Sequence, residues 1–219
     1  MAIGRLHVLT DYHLQQNYNH AELAERAIKG GADVIQFRQK QGFIRDRLHE
    51  AERVCEICQA RDVPLIVNDY IDIALAVGAD GVHLGQLDFP IDAARTVLGP
   101  EPVIGATVTR QQQAKRAVTD GADYLGFGPV FPTSSKDSPA TVKGLRGLEH
   151  TCGTVDIPVI AIGGIGRDNI RSVLDAGAHG AAVMSAVALA ADPRAAARDL
   201  RSEIDRYFGE DVQTDDATP

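Results

Sequence analysis

Three times in this chain the tripeptide Gly-Ala-Asp stands directly before a short apolar run, and a fourth copy differs only at its last position. Gly31-Ala-Asp33 precedes Val-Ile-Gln-Phe-Arg38, Gly78-Ala-Asp80 precedes Gly-Val-His-Leu84, and Gly121-Ala-Asp123 precedes Tyr-Leu-Gly-Phe127. Gly177-Ala-His179 precedes Gly-Ala-Ala-Val-Met184. Glycine takes the left-handed conformation that ends a helix, so each copy predicts a helix terminus followed by a buried strand. Between the copies lie apolar runs introduced by proline: Pro64-Leu-Ile-Val67, Pro102-Val-Ile-Gly-Ala106 and Pro158-Val-Ile-Ala-Ile162. Leu6-His-Val-Leu9 opens the series. Helical periodicity is predicted from His20 to Lys29, Ile44 to Arg61, Ile71 to Val77, Ile91 to Leu98, Arg110 to Thr119, Leu145 to His150, Arg167 to Ala176 and Asp192 to Tyr207.

Strands alternating with helices imply parallel pairing, and short apolar strands without alternation fit a sheet covered by helices. Eight such units in about 205 residues fit a closed (β/α)8 barrel, the TIM barrel, near its minimum size. A doubly wound open sheet is the competing architecture. A repeat of two βα units favours closure, because quarter-barrels joined in a ring bring equivalent loops to one rim. The barrel is expected over residues 1–207. Residues 208–219, with Glu210, Asp211, Asp215 and Asp216, read as a disordered acidic tail.

With 44% hydrophobic and 24% charged residues, the chain suits one domain with a sizeable core. No apolar run approaches the roughly 18 residues that cross a bilayer, and no basic stretch with an apolar signal core opens the chain, so a cytoplasmic protein without membrane contact is expected. A net charge of -8 argues against nonspecific nucleic-acid binding; any anion site must be a local basic patch. Cys55 and Cys58 have a redox or zinc spacing, but they lie in a helical pattern with no second ligand pair, and core packing is expected.

In a barrel of this kind, chemistry sits at the C-terminal strand ends. Those ends carry Thr10-Asp11, Gln36-Phe-Arg38-Gln-Lys40, Asn68-Asp69, His83 through Gln86 to Asp88, Thr107, Gly163-Gly164, and Met184-Ser185. Each also has a structural explanation: Asn68, Asp69 or Asp88 could cap the following helix, and the paired glycines could make a tight turn. Arg38 and Lys40 alternate with Phe37 and Gln39 and so share a face. After the sixth strand, Pro129 to about Lys143 shows no periodicity and includes Thr133, Ser134, Ser135 and Lys136, hydroxyls and a cation suited to an anion.

Glycines after the seventh strand, with a helix beginning near Arg167, suit a phosphate cradle. Asp69 and Asp88 on adjacent strand ends suit Mg2+, which keeps waters and takes further oxygens from phosphate. Arg38, Lys40, Lys136 and a divalent cation, offset by the two carboxylates, leave about +3, which balances roughly -3 on a diphosphate ester. Two anion sites in one mouth imply two small-molecule substrates.

Taken in order, these segments resemble the thiamine phosphate synthase family from Leu6 to about Tyr207. The matching pieces are Gln36 to Lys40, Asn68-Asp69, Gly81 to Asp88, Gly126 to Lys136, and Ile162 to Ile165. The resemblance implies a transferase joining a hydroxymethylpyrimidine diphosphate to a hydroxyethylthiazole phosphate. It implies that Gln36, Arg38, Lys40, Asn68 and Lys136 bind the pyrimidine diphosphate and that Asp69 and Asp88 hold Mg2+. Thr133, Ser135, Gly164, Met184 and Ser185 would bind the thiazole phosphate. Thr107 stands where the family commonly has serine and Ser135 where it has threonine, both keeping the hydroxyl. Arg38, Lys40, Thr107 and Lys136 would act on the reacting centre. A thiazole tautomerase on the same barrel would use a histidine after the sixth strand, where Gly-Pro129 has none. A noncatalytic binder of a thiazole or thiamine phosphate is the other alternative. His83 has no assigned role and reads as a satisfied interior residue; a homo-oligomer is compatible with all of this.

Overall fold

The computed structural model describes residues 3–15, 17–135 and 141–215, the last six without their side chains. Its strands are β1 Leu6–Asp11, β2 Val34–Arg38, β3 Leu65–Asn68, β4 Gly81–Leu84, β5 Val103–Val108, β6 Tyr124–Phe127, β7 Val159–Ile162 and β8 Gly180–Val183. All pair in parallel and in chain order, and β1 pairs with β8 to close the barrel. The open sheet is thereby excluded. The helices are α1 His20–Lys29, α2 Ile44–Gln59, α3 Ile71–Val77, α4 Ile91–Leu98, α5 Gln111–Thr119, α6 Gly144–Cys152, α7 Ile170–Asp175, α8 Ser185–Ala188 and α9 Pro193–Asp215. None of the described helices is long and apolar enough to cross a membrane.

The repeat has a structural cause. Gly31, Gly78, Gly121 and Gly177 all have positive φ, between 63° and 98°, and turn the chain out of a helix. Two residues later the aspartate fastens the strand before it. Asp33 Oδ2 accepts the backbone N–H groups of Arg5 and Leu6 at 2.9 Å each, Asp80 accepts from Leu65 at 2.8 Å, and Asp123 from Ile104 at 2.7 Å. The same residues donate their own N–H groups to Leu6, Leu65 and Ile104. Each aspartate therefore makes a two-way clamp where an odd strand begins, a place where backbone groups would otherwise lack partners. In the fourth copy His179 keeps the backbone donation, to Val159, and its ring Nε2 meets Ile3 O at 2.8 Å.

The main core lies between strands and helices, and a smaller one of Leu9, Val34, Ile66, Val103, Tyr124, Ile160, Ala182 and Met184 fills the barrel. Cys55 and Cys58 belong to the outer core; burial pushes the Cys58 thiol up to about 12, which keeps it protonated.

Helix boundaries depart from expectation by more than two residues only after β7 and β8. The helix expected from Arg167 begins only at Ile170, because the Asn169 side chain folds back, accepting from Gly166 N and donating to Gly164 O at 2.9 Å each, and residues 167–169 form a turn. Arg167 instead meets Asp199 and Glu203 on α9 at 3.5 and 3.6 Å. A short α8 follows β8 directly, and α9 continues beyond Tyr207 to Asp215, so the expected tail begins inside a helix; residues 216–219 lie outside the described residues.

Candidate active site

A cavity of about 370 Å³ opens at the C-terminal mouth of the barrel. Its walls include Gln36, Arg38, Asn68, His83, Thr107, Thr133, Ser135, Gly163, Gly164, Met184 and Ser185, so most of the predicted residues meet in one space. Arg38, at the end of β2, lies opposite Asp11 at the end of β1, and its guanidinium donates to the Asp11 carboxylate. Asn68 Nδ2 and His7 Nδ1 are buried on the cavity wall without a partner. Such groups cost roughly 1–3 kcal/mol when left unmet, so they are poised for a ligand or water.

Lys40, Asp69 and Asp88 do not line this cavity; they share a neighbouring cleft of about 650 Å³ with Tyr70 and Phe89. Lys40 Nζ stands 2.9 Å from Asp69 Oδ2. The helix-capping explanations fail here. The residues at the N-caps of α3 and α4 are Tyr70 and Pro90, without side-chain caps, while Asp88 Oδ2 accepts from Gly85 N at 2.7 Å. Asp69 adopts φ 67°, a left-handed conformation costing a non-glycine residue about 1 kcal/mol or more, and its N–H donates to His83 O at 2.9 Å. Burial pushes the Asp69 carboxyl up; Lys40 opposes this, and a hydrogen bond with Asp88 adds to it. Two hard oxygen donors close enough to share a proton fit a divalent cation, which would relieve their repulsion without the proton. The described residues contain no cluster of three or more acidic, histidine or cysteine side chains, so water and phosphate oxygens would have to complete any such shell.

Opposite β2, the loop after β6 brings Thr133 Oγ1 within 3.2 Å of both Ser135 Oγ and Ser135 N. Residues 129–135 and 141–143 have neither helix nor strand, as the lack of periodicity implied. Lys136, expected on this loop, lies outside the described residues. Gly164, at φ 67°, packs under this loop: a Cβ there would stand 2.5 Å from Pro132 O and 2.8 Å from Phe131 Cβ. Met184 lines the cavity, and Ser185 begins α8 beside it.

The sequence did not mark five further polar lining residues: His7, Thr109, Tyr124, Thr141 and Lys143. Tyr124 and Lys143 flank the loop after β6, but their direction depends on barrel register. Asp11 was noted at a strand end, and its pairing with Arg38 appears only when β1 and β2 are laid side by side.

The description thiamine monophosphate synthase belongs to a family model that matches residues 6–187. A thiamine-phosphate synthase of Salinibacter ruber is 60% identical over 209 residues, covering 95% of this chain and 92% of that protein. The chain belongs to the thiamine monophosphate synthase family. Like its relatives in this family, it is a transferase of thiamine biosynthesis that forms thiamine phosphate. Another family member, the thiamine-phosphate synthase of Chloroflexus aurantiacus, is 46% identical over 91% of this chain and 92% of its own. The solved thiamine phosphate pyrophosphorylase of Pyrococcus furiosus superposes with a TM-score of 0.84 and 41% identity, covering 93% of this chain and 96% of that one. A 3-hexulose-6-phosphate synthase with 22% identity and a TM-score of 0.68 shares the fold alone.

Proposed function

We propose that this family member joins 4-amino-2-methyl-5-hydroxymethylpyrimidine diphosphate to 4-methyl-5-hydroxyethylthiazole phosphate, or its carboxylated form, with Gln36, Arg38, Lys40, Asn68 and Lys136 on the diphosphate substrate. Thr133, Ser135, Gly164, Met184 and Ser185 take the thiazole phosphate, and Asp69 and Asp88 hold Mg2+. The observation that carries this reading is the polarity of the mouth: Arg38 at the end of β2 faces the hydroxyls and glycines after β6 and β7 across one cavity, with Lys40 and the paired carboxylates at the ends of β3 and β4 in the neighbouring cleft.

Departure of diphosphate leaves a cation spread through the electron-rich aminopyrimidine, and the thiazole nitrogen attacks it with its own lone pair. No general base is needed, so binding, orientation and charge neutralisation do the work. Arg38 and Lys40 meet the diphosphate oxygens, Lys136 the charge developing on the leaving oxygen, and Thr107 donates a hydrogen bond at the reacting centre. The unmet Asn68 amide orients the pyrimidine. When bound, Mg2+ neutralises part of the charge on the departing group. The enzyme acts in the cytoplasm on small molecules alone, without nucleic acid or membrane; a homo-oligomer is compatible with the site, which one chain supplies.

The test is a paired assay: thiamine phosphate formation from both substrates with Mg2+, and isomerisation of the carboxylated thiazole phosphate. Coupling is expected, with Lys136→Ala slower by about 100- to 1000-fold, the scale of one electrostatic contact to a developing charge. Isomerisation without coupling would favour the tautomerase, and neither activity in folded protein would favour the binder.

A further inference from the structure

Beneath Thr107 the barrel holds a line of polar side chains with no part in the reaction as described above. His83 on β4 has Nε2 at 2.8 Å from Thr107 Oγ1 and Nδ1 at 2.9 Å from Tyr124 Oη. Space for the line has been cleared by glycine. A Cβ on Gly105 would sit 2.2 Å from Tyr124 Cζ and 2.5 Å from His83 Nδ1, and a Cβ on Gly126 would sit 2.8 Å from His83 Cε1. Glycine in a strand interior weakens it, so two in adjacent strands against the same ring mark a place where the ring matters more than the strands.

The direction of the hydrogen bonds follows from chemistry. Tyr124 is 1% exposed, and its phenol keeps its proton because burial disfavours the phenolate. A buried O–H requires an acceptor, and His83 Nδ1 is in place to be one. Nδ1 can accept only when bare, which puts the imidazole proton on Nε2 and makes Nε2–H the donor to Thr107 Oγ1. With one lone pair of Thr107 engaged from below, its own O–H can point into the cavity that Thr107 lines. The Gln36 side chain also hydrogen-bonds the Tyr124 oxygen, and with the phenol proton given to His83 its amide N–H would be the group that faces it.

We infer that His83 and Tyr124 are positioning residues for the transfer reaction: the line Tyr124 to His83 to Thr107 holds the Thr107 hydroxyl as a hydrogen-bond donor into the cavity, facing an acceptor oxygen on the diphosphate substrate. This rests on the coupling activity proposed above. A hydroxyl free to rotate would spend part of its time presenting lone pairs to an anion, whereas a fixed donor needs no reorganisation as negative charge grows on that oxygen. The benefit falls on the chemical step and not on ground-state binding.

Two measurements test this. In protein labelled with 15N-histidine, the His83 ring should show a protonated Nε2 and a bare Nδ1, with the preference weakened in Tyr124→Phe; a protonated Nδ1 would overturn the inference whether or not the protein couples its substrates. Kinetically, Tyr124→Phe removes one oxygen and should lower kcat by about tenfold, and His83→Phe by more, with little change in either KM. His83→Gln, whose amide reaches the Nε2 position as a donor, should recover part of the loss. The decisive comparison repeats Tyr124→Phe and His83→Phe in a Thr107→Val background, where their effects should largely vanish. Full effects in that background, or losses confined to KM, would show that the two residues do not act through Thr107. If wild-type protein did not couple the substrates, the proposed function would fail, and the ring spectrum would still decide the hydrogen-bond direction.

Discussion

Gly164→Ala should disable the site through the loop it supports. Two costs follow from the structure. At φ 67° an alanine sits in the left-handed region at about 1 kcal/mol relative to glycine. Its Cβ would also stand 2.5 Å from Pro132 O, so reaching a tolerable 3.0–3.4 Å moves the loop by about 0.5–0.9 Å. Repacking of that kind costs a further 1–3 kcal/mol. Thr133 is the next residue, and Ser135 follows two later, so the shift is delivered to the hydroxyls proposed for the thiazole phosphate. A misplacement approaching 1 Å costs up to about 100-fold in rate, and kcat/KM for the thiazole substrate should fall by roughly 10- to 100-fold. Gly78→Ala is the internal control. Gly78 has nearly the same φ, 63°, yet a Cβ there meets nothing within 4 Å, so it bears the backbone cost alone and lies at the far end of the barrel. At about 2–4 °C per kcal/mol for a chain of this size, melting should drop by a few degrees in Gly78→Ala and by two to four times as much in Gly164→Ala. Steady-state kinetics with each substrate varied in turn, alongside thermal unfolding of both variants, provide the readout. If Gly164→Ala matched Gly78→Ala in stability and kept wild-type kinetics, the loop would not rest on Gly164 as described.

Asp88→Asn should raise the Mg2+ concentration needed for half-maximal coupling and leave melting nearly unchanged without metal, since it removes an anionic oxygen ligand but also a neighbour that repels Asp69; a Mg2+ titration of the initial rate checks it. Burial holds His7 and His20 neutral in the fold, each pushed from 6.5 to about 4. The unfolded chain therefore takes up these protons first as pH falls, and the stability they contribute, complete above pH 6.5, is lost progressively toward pH 4, by about 3 kcal/mol each at most. Melting temperature followed between pH 7 and pH 4.5 should fall less in His7→Gln, which keeps a donor for Gly4 O. Asp33→Ala should cost about 2–4 kcal/mol in urea unfolding, because the N–H of fully buried Leu6 loses its carboxylate, while kcat per folded molecule stays at the wild-type value.

The aspartates of this chain show why the barrel was easier to read from sequence than the site. Asp33, Asp80 and Asp123 come just before a strand and repeat with the same neighbours, so their part in the architecture leaves a period in the sequence even though the bonds they make were not foreseen. Asp11, Asp69 and Asp88 come after strands and repeat with nothing, because each answers a different partner: Arg38 across the β1–β2 edge, Lys40 from the next loop, and the N–H of Gly85 within its own turn. Position relative to a strand was enough to place them on the rim; their pairing depends on register, which a linear sequence does not state. The same limit hid the role of His83. Gly105 and Gly126 look, one strand at a time, like weaknesses in β5 and β6, and only closure of the barrel sets both against one imidazole and its tyrosine. Residue type and place alone could thus put side chains on the rim, whereas residues that leave room for another group, or sit against it, become visible only when three strands are seen together.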